Sequence, residues 1–510
     1  MAGQRTICLK GGHIWPGGDT PLTEGGILVG GSQIKAILAP GEVGAAADGA
    51  DEVVDVSGMV LMPPLVDCHV HSSSTLLRGT ENSLPLELWS YYAINYGRGS
   101  TDDSVRHAAL LTNIEMIRNG IGGYIDHFPP LHRAGAALSA HMQSGLRIGF
   151  APFFADMWDE DILEIPLDRQ IVHKIAPLAP RRLEDIRSAY FDLDAEIKSK
   201  GEGRITLLAG PNSPQRCSDA LWELWAELQD RLGIGSHTHL LETFPQAQAA
   251  RKRWPQGLVQ ALADEGLLHS RLSVGHGIWL DPKERELLAS IGVTVSFNPI
   301  SNGMLGSGRK RVREDLDAGL KIALGTDCSN TGGRHDLFEV MRHMLISGRD
   351  PGTDFNTWLT PAEVLNAATT IGAGALNGAK AHGRLETNGA ADILVLDLES
   401  HGMAASSVSL NSIVVHADPR NVNSLMVDGR WLLRNGKIIV FDEVSVLRDA
   451  RRHADDLRAA ALDRLSEIES LHPHYSEWQR SVFSGHRCRA CSRVSLPVPG
   501  TYQCCPADKS

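Results

Sequence analysis

The stretch LMPPLVDCHVHSSSTLLRGTENSLPLELW, residues 61–89, decides the fold and points to its chemistry. Within it the short apolar run Leu65-Val66 leads directly towards His69 and His71. Residues two apart in a β-strand point to the same face, so both imidazoles would aim at one point. That spacing is typical of ligands for zinc, iron and related ions. Because a lone His-X-His pair is also common in ordinary surfaces and cores, its interpretation depends on the rest of the chain.

The middle of the chain, from about residue 64 to 388, alternates short apolar runs with helical stretches such as Asp219 to Leu232. The candidate strands cover residues 65–67, 123–126, 147–150, 205–208, 234–237, 272–274, 293–296 and 322–324. Eight strand–helix units in this length predict a (β/α)8 barrel, in which the chemistry lies at the carboxyl ends of the strands. Most of the histidines and acids of interest fall at those ends.

Both ends of the chain are rich in short β runs and glycine turns. The later segment contains ADILVLDL, SIVVHA (residues 412–417) and two hairpin dipeptides, Asp428-Gly429 and Asn435-Gly436. The predicted fold class is therefore α/β, a TIM-like barrel with a small β-sandwich built from both terminal segments. We expect the sandwich at 1–62 and 389–443, the barrel at 63–388, helices at 444–480 and a flexible tail at 481–510.

Composition limits the classes of function. With 510 residues, 42% hydrophobic and 22% charged, the chain is an ordinary globular protein. Its net charge of −12 argues against nucleic-acid and anionic-membrane partners. It has no apolar run long enough to span a bilayer and its N-terminus lacks a signal-peptide core, so we expect a cytoplasmic protein with a small-molecule substrate. We also expect a homo-oligomer.

The last stretch contains a cysteine cluster, formed by Cys488, Cys491, Cys504 and Cys505. It could be a zinc knuckle, but the second pair lacks the usual gap of two residues. We favour a reduced, flexible tail. The nucleobase-editing deaminase signature is absent, because no His-X-Glu or Pro-Cys accompanies the cluster.

Three further strand ends add chemistry: His239 with Glu242 three residues later, His276 in SVGHGIWL, and Asp327 in LGTDCSN. A buried acid such as Asp327 is costly unless it is paired or metal-bound. Alternatively, each histidine could be a hydrogen-bonded core residue and Asp327 a helix N-cap.

Together, His69, His71, His239 and Asp327 form a candidate site for one metal ion with room for water. A bound divalent ion lowers the pKa of water towards neutrality, which supplies hydroxide. Glu242 could take a proton from that water and give it to a leaving nitrogen. His276 and Asp327 could hold the water and stabilise developing charge.

These segments resemble the amidohydrolase superfamily, in its branch of cytosine deaminase-like, adenosylhomocysteine deaminase and triazine hydrolase enzymes. The resemblance covers residues from about 5 to 470 and rests on VDCHVHSSSTLLRG, SHTHLLET, VGHGIWL, SFNPISNGMLGSG, LGTDCSN and GRLETNGAADILVLD. It implies a barrel enzyme with one zinc or iron ion, zinc being favoured, that hydrolyses a ring or amidine carbon and releases ammonia or an amine. The fourth-strand segment ITLLAGPNSP has no lysine to bridge two metals.

Two departures from the family pattern concern the substrate. Phe297 and Asn212 stand where the purine-type deaminases have histidines, and both positions border the substrate pocket in that family. This puts adenosine-like substrates in doubt. Trp89 aligns with an aromatic that contacts substrate in relatives, although it could equally cover the barrel mouth.

The sequence therefore predicts a metal-dependent hydrolase that deaminates a small nitrogenous, heterocyclic compound. The same chemistry could instead release an amine or a halide or open a cyclic amide. A non-catalytic scaffold of the same fold is disfavoured, because every ligand and Glu242 are present. Asp126-His127 is expected to support the ligands by hydrogen bonds. Arg78 and Arg334 could pair with an anionic substrate, but solvated arginines are the simpler interpretation.

Overall fold

The computed structural model describes residues 5–176, 182–349, 352–377 and 383–484. The predicted cysteine tail, with Cys488, Cys491, Cys504 and Cys505, lies outside the described residues.

The strands form two separate sheets. The N-terminal strands are β1 (Thr6–Ile14), β2 (Thr23–Gly30), β3 (Gln33–Leu38), β4 (Glu52–Asp55) and β5 (Met59–Met62). The middle strands are β6 (Leu65–Val70), β7 (Ile121–Phe128), β8 (Arg147–Phe154), β9 (Ile205–Pro211), β10 (Gly235–Leu240), β11 (Leu272–His276), β12 (Thr294–Phe297) and β13 (Lys321–Leu324). The C-terminal strands are β14 (Ile393–Asp397), β15 (Val422–Val427), β16 (Arg430–Arg434) and β17 (Lys437–Ile438).

Helices follow or connect these strands. Those before the eighth barrel strand are α1 (Val43–Asp48), α2 (Leu86–Gly97), α3 (Asp102–Arg118), α4 (Ala134–Ser144), α5 (Asp159–Ile162), α6 (Arg169–Ile175), α7 (Leu183–Lys200), α8 (Asp219–Leu232), α9 (Phe244–Arg253), α10 (Leu258–Asp264), α11 (Pro282–Ile291), α12 (Pro299–Met304) and α13 (Val312–Asp317). The later ones are α14 (Leu337–Ser347), α15 (Pro361–Asn366), α16 (Gly372–Ala375), α17 (Leu410–His416), α18 (Glu443–Ala461), α19 (Leu465–Glu469) and α20 (His472–Ser484).

Strands β6 to β13 pair in sequence order, each parallel to the next. A parallel bridge between Val70 and Asp327 connects the two ends of this sheet, so the barrel is nearly closed. Each predicted strand segment lies at or within one residue of an observed strand. The predicted (β/α)8 barrel is therefore confirmed.

Helix α8 illustrates why the helical stretches fold as they do. Leu221, Leu224, Trp225 and Leu228 recur at helical spacing and are buried. The side chain of Ser218 accepts a hydrogen bond from the Leu221 backbone and caps the first turn. Local sequence and burial thus specify the same helix.

The second sheet is mixed and runs in the order β17-β16-β15-β14-β5-β1-β2-β3, with β4 paired to β1. Apolar residues from strands throughout it, including Ile7, Ile27, Ile34, Ile393 and Met426, pack into one core. Both terminal segments therefore build one small β domain, as predicted. Its exact boundaries with the barrel and the C-terminal helices stay a prediction.

Both predicted hairpin dipeptides connect neighbouring antiparallel strands. Asp428, Gly429, Asn435 and Gly436 all have positive φ, which two-residue hairpin loops of this type need at both positions.

The prediction of β structure at SIVVHA, residues 412–417, is wrong, because residues 410–416 form helix α17. Ser409 caps this helix by accepting a hydrogen bond from the Ser412 backbone. Ile413 and Val414 are buried in the main core. A short apolar run rich in β-branched residues fits a strand or a buried helix, and here the cap and the packing favour the helix.

The bottom of the barrel is attached to the β domain by a buried ion pair. Arg147, the first residue of β8, donates two hydrogen bonds to Asp392, at 2.6 and 2.9 Å. The C-terminal helices pack on the other face of the barrel, where Ile468, Tyr475 and Trp478 join a core with residues of α2. In the described ranges, none of the helices is long and apolar enough to cross a membrane.

Candidate active site

The four predicted metal ligands lie at the carboxyl ends of three barrel strands. His69 is on β6 and His71 follows it, His239 is on β10, and Asp327 comes shortly after β13. Parallel barrel strands end on one face, so these residues can meet there although they are far apart in sequence.

The structure brings these four side chains together. The Nε2 atoms of His71 and His239 are 3.3 Å apart. The Oδ1 atom of Asp327 lies 3.2 Å from the Nε2 of His71 and 3.6 Å from that of His69. Three imidazole nitrogens and one carboxylate oxygen therefore face a common centre.

The other nitrogen of each imidazole, Nδ1, contacts a neighbouring group on the side away from this centre. The contacts are His69 to the Nε2 of His237 at 2.7 Å, His71 to the carbonyl oxygen of His127 at 2.5 Å, and His239 to the carbonyl oxygen of Asn212 at 2.5 Å. A carbonyl can only accept, so Nδ1 of His71 and His239 carries a proton, and Nε2 is the nitrogen that faces the common centre. The Nε2 of His69 is buried and has no hydrogen-bond partner in the described chain. The donor set therefore fits a divalent ion.

The charges of these groups agree with ligation. Burial lowers the pKa of His69 and His239 well below the usual value, so both imidazoles are neutral at pH 7. Burial alone would raise the pKa of Asp327, but the hydrogen bond from His71 and the nearby imidazoles hold it well below its usual value. For His71, the effect of Asp327 outweighs burial and raises its pKa. His69 and His239 are thus neutral beside an ionised carboxylate, as ligation of a divalent ion requires, whereas His71 would give up its Nε2 proton when an ion binds.

Glu242 and His276 lie beside this centre. The Nε2 of His276 is 3.5 Å from the Oε2 of Glu242 and 3.8 Å from the Oδ2 of Asp327. Ser307 donates a hydrogen bond of 2.9 Å to the other Glu242 oxygen. Burial raises the pKa of Glu242 to about 7. A carboxyl with that pKa can both accept and return a proton near neutral pH.

The backbone at this face of the barrel is strained. His276 and Asp327 have φ of 68° and 65°, and Leu241, just before Glu242, has φ of 45°. Such conformations are uncommon for residues other than glycine and concentrate at functional sites. Here they aim the last side chain of a strand across the barrel mouth.

Asp67 connects the first and the last barrel strands directly beneath the site. Its carboxylate accepts hydrogen bonds from the backbone N–H of Thr326 at 3.0 Å and from its hydroxyl at 2.6 Å. The backbone N–H of Asp327 donates to the carbonyl oxygen of His69 at 2.8 Å. The contacts that close the barrel between its first and last strands therefore also fix His69 and Asp327 relative to each other.

The three predicted substrate contacts differ in their surroundings. Trp89 is buried on α2, and its Nε1 has no hydrogen-bond partner in the described residues. The side chain of Asn212 accepts a hydrogen bond of 3.1 Å from Arg216. Phe297 packs in the main apolar core, whereas Ser296 forms polar contacts. Their roles in substrate binding stay predictions.

The remaining candidates have structural partners. Arg78 pairs with Glu115. Arg334 is largely exposed and lies 3.6 Å from Asp336. The carboxylate of Asp126 accepts hydrogen bonds from Ser72, which follows His71. Together with the contact of the His127 carbonyl, this places the Asp126-His127 pair behind His71.

Sequence reasoning missed three residues that touch the site. Ser301 donates to the Oδ2 of Asp327 at 2.6 Å, Asn302 lies 2.8 Å from the Nδ1 of His276, and Ser307 binds Glu242. Ser301 and Asn302 lie on α12 and Ser307 in the loop after it, and their spacing matches no recognisable pattern. His237 belongs to the predicted strand-end residues and shares the face of His239, but the sequence assigns it no role.

Similarity to known proteins covers most of the chain. Residues 60–432 match the model of the amidohydrolase family. A 5'-deoxyadenosine deaminase of Methanosarcina mazei is 30% identical over 81% of this chain and 90% of its own length. A 5-methylthioadenosine/S-adenosylhomocysteine deaminase of Syntrophomonas wolfei is 29% identical over 80% of this chain and 89% of its own.

Solved structures confirm the fold. An adenosine deaminase of Xanthomonas campestris with bound zinc superposes with a TM-score of 0.77 at 24% identity, covering 89% of this chain and 98% of that one. An atrazine chlorohydrolase of Arthrobacter aurescens, solved as a zinc complex, gives a TM-score of 0.77 at 19% identity, and the match covers 88% of this chain and 100% of that one. The chain thus belongs to the amidohydrolase family and is a hydrolase of carbon–nitrogen bonds other than peptide bonds, as its motifs predicted.

Proposed function

We propose that this protein is a mononuclear metal-dependent deaminase that removes an amino group from a small nitrogen heterocycle and releases ammonia. One observation carries the proposal: the four donor groups of His69, His71, His239 and Asp327 converge beside Glu242, a buried carboxyl whose pKa is raised to about 7. A scaffold without catalytic activity has no need for a proton-carrying acid at this position.

His69, His71, His239 and Asp327 would hold the ion, and zinc is our choice over iron because imidazole and carboxylate ligands suit it. The bound ion would lower the pKa of a water molecule towards neutrality. The absence of a lysine in β9 supports a single ion.

The chain's own residues account for the proton transfers. Water adds its oxygen to the ring carbon, and the Oε2 of Glu242 takes the proton that water loses. Glu242 then gives this proton to the leaving nitrogen, so that the carbon–nitrogen bond breaks and ammonia departs. Ser307 fixes the other oxygen of Glu242, which keeps Oε2 towards His276. The Nε2 of His276, which faces Glu242 and Asp327, is placed to hold the attacking water.

Both the relatives and the residues around the site bear on the class of substrate. The names of the relatives favour an aminopurine-type ring. Asn212 and Phe297 replace the imidazoles of purine-type deaminases, and the Asn212 side chain is already bonded to Arg216. The buried N–H of Trp89 can donate a hydrogen bond to a ring nitrogen or oxygen. We therefore place the substrate among amino-substituted heterocycles, with adenosine-like nucleosides as a subset to be tested.

The decisive experiment is ammonia release by zinc-loaded and iron-loaded enzyme from a panel of amino-substituted purines, nucleosides, pyrimidines, triazines and pterins. Asp327→Ala serves as the blank. A metal-dependent signal that is absent from the blank supports a deaminase and identifies the ring. Silence across the panel, with metal bound and the fold intact, would exclude deamination of these rings and favour an amine, halide or cyclic-amide substrate. Light scattering of the same sample tests the predicted homo-oligomer.

A further inference from the structure

A second cluster of metal-ligating side chains lies on the outside of the barrel, where α18 packs on α3. Each helix carries an aspartate four residues before a histidine: Asp103 and His107 on α3, and Asp449 and His453 on α18. Residues four apart on a helix share one face, so each helix presents one carboxylate and one imidazole to the other. We name these four residues the helix clamp.

The donor atoms of the helix clamp are close together. The Nε2 of His453 lies 3.1 Å from the Oδ2 of Asp103 across the helix interface. The Nε2 of His107 lies 4.0 Å from the Oδ2 of Asp449, also across the interface. One donor atom each from Asp103, His107 and His453 fit within 4.8 Å of one another.

The geometry points to a divalent-cation site, and we propose that the helix clamp binds zinc and fastens the C-terminal helix to the barrel. Ligand bonds of about 2.0–2.1 Å in a tetrahedral zinc site put neighbouring donor atoms about 3.3 Å apart. The contact of 3.1 Å already matches, and the contact of 4.0 Å needs only a small side-chain movement. Two imidazoles and the Asp103 carboxylate supply three ligands, and Asp449 lies beside them, within side-chain reach.

One ligand is held ready for binding. The Nδ1 of His107 lies 2.8 Å from the backbone carbonyl oxygen of Asp103, which can only accept, so Nδ1 carries the proton. Its Nε2, the nitrogen that faces Asp449, therefore presents a lone pair. The side chains of His107 and His453 are only 12% and 9% exposed, so little water competes for them.

Arginines are the resident cations of this cluster. Arg452 lies 3.3 Å from the Nε2 of His453, 3.7 Å from Asp449 and 4.0 Å from Asp103. Arg448 lies 3.5 Å from Asp449. Both side chains are exposed, Arg452 by 60% and Arg448 by 70%, so either can turn into solvent when a metal ion binds. The arginines therefore compete with the ion and set its affinity.

The position of the cluster indicates a structural role. Ala450, Ala454 and Leu457 of α18 pack on Leu76, Leu77 and Ala108. Leu76 and Leu77 belong to the short helix Ser72–Leu77, which directly follows His71. An ion between α3 and α18 would hold α18 against the short helix that follows the active-site residue His71. The inference does not depend on the proposed reaction.

The test is the zinc content of the full-length protein after saturation with Zn²⁺ and removal of free ion, measured by mass spectrometry. We expect about two ions per chain in the unaltered protein and about one in the double variant Asp449→Ala/His453→Ala. Asp456→Ala removes an exposed carboxylate from the same helix and should keep both ions. The double variant should keep turnover, because the clamp does not touch the active site.

Two further measurements, of zinc affinity and of melting temperature, complete the test. Arg452→Ala should bind the second ion more tightly, because the competing cation is gone. The rise in melting temperature on adding Zn²⁺ should be smaller in the double variant than in Asp456→Ala. One ion per chain in the unaltered protein, or equal zinc content in the double variant, overturns the proposal.

Discussion

The active site and the helix clamp are built from the same side chains, histidine and aspartate, on different kinds of backbone. The candidate ligands of the active site stand at strand ends, where His69, His71 and Asp327 are buried and His239 is partly buried, and each is held by a hydrogen bond. The clamp residues stand on helix faces, and the Asp103 side chain is 60% exposed. Donor atoms converge in both places, but only the active site combines them with a buried proton-carrying acid and a strained backbone.

This difference bears on the roles proposed for the two clusters. Burial keeps the imidazoles of His69 and His239 neutral and raises the pKa of Glu242, so the protein itself prepares these groups for reaction. In the helix clamp the imidazoles are mostly buried but the Asp103 carboxylate is solvated, and an ion there would bridge two helices. Substitutions in the active site should therefore affect turnover, and substitutions in the helix clamp should affect stability.

The largest effect is expected from Asp327→Ala. It removes the only carboxylate among the four candidate ligands and leaves buried imidazoles facing an empty space. Turnover should fall roughly a thousandfold or more, and the protein should lose the active-site ion. Ammonia assays and metal analysis of the same sample test this. His343→Ala, which removes an exposed histidine on α14, should change neither quantity.

Glu242→Gln should separate ion binding from chemistry. The amide keeps the size of the side chain but cannot accept a proton, so turnover should fall by about 10²–10⁴-fold while zinc content stays the same. Glu265→Gln, at an exposed position, is the matched control. An active Glu242→Gln enzyme would show that another group moves the proton.

His237→Ala should have an intermediate effect. This residue does not face the centre but holds the Nδ1 of His69, and its own Nδ1 is 2.7 Å from the hydroxyl of Ser273. Removing such a supporting group lowers metal affinity about 10–100-fold. A competition titration with a zinc chelator measures this, and excess zinc should restore most of the turnover. Unchanged affinity would mean that His69 is oriented by packing alone.

His453→Ala should have the smallest effect on catalysis. Turnover should stay within about twofold, since surface substitutions away from a site change little. The melting temperature in the presence of Zn²⁺ should nevertheless fall relative to His474→Ala, an exposed histidine on α20. A loss of turnover equal to that of His237→Ala would mean that the two clusters are coupled.

Much of this picture could be predicted from sequence, because period and spacing determine it. Each barrel strand is a short apolar run, and His69, His71, His239, His276 and Asp327 all lie at or just past the end of one. Strand ends of a parallel barrel converge by geometry, so the sequence alone assigns these residues to one face of the barrel.

What could not be predicted depends on contacts between distant segments. Ser301 lies on the short helix α12 and Ser307 in the loop after it, where tertiary packing sets their positions and no spacing marks them. The segment around Ile413 and Val414 was assigned to a strand because β-branched residues favour strands, whereas packing made it a helix. The helix clamp joins His107 to His453, and only the packing of α18 on α3 brings them together.

The pairing of β5 with β14 has a consequence for how the protein is made. Met59–Met62 pairs along its length with residues 394–397 of β14, about 330 residues further along the chain. At a synthesis rate of about 5–20 residues per second, that edge waits roughly 15–70 s for its partner to leave the ribosome. During this interval an apolar strand has unpaired backbone groups open to other chains. Slow translation or missing chaperones should therefore reduce the yield of this protein through aggregation of its N-terminal sheet, long before the active site has formed.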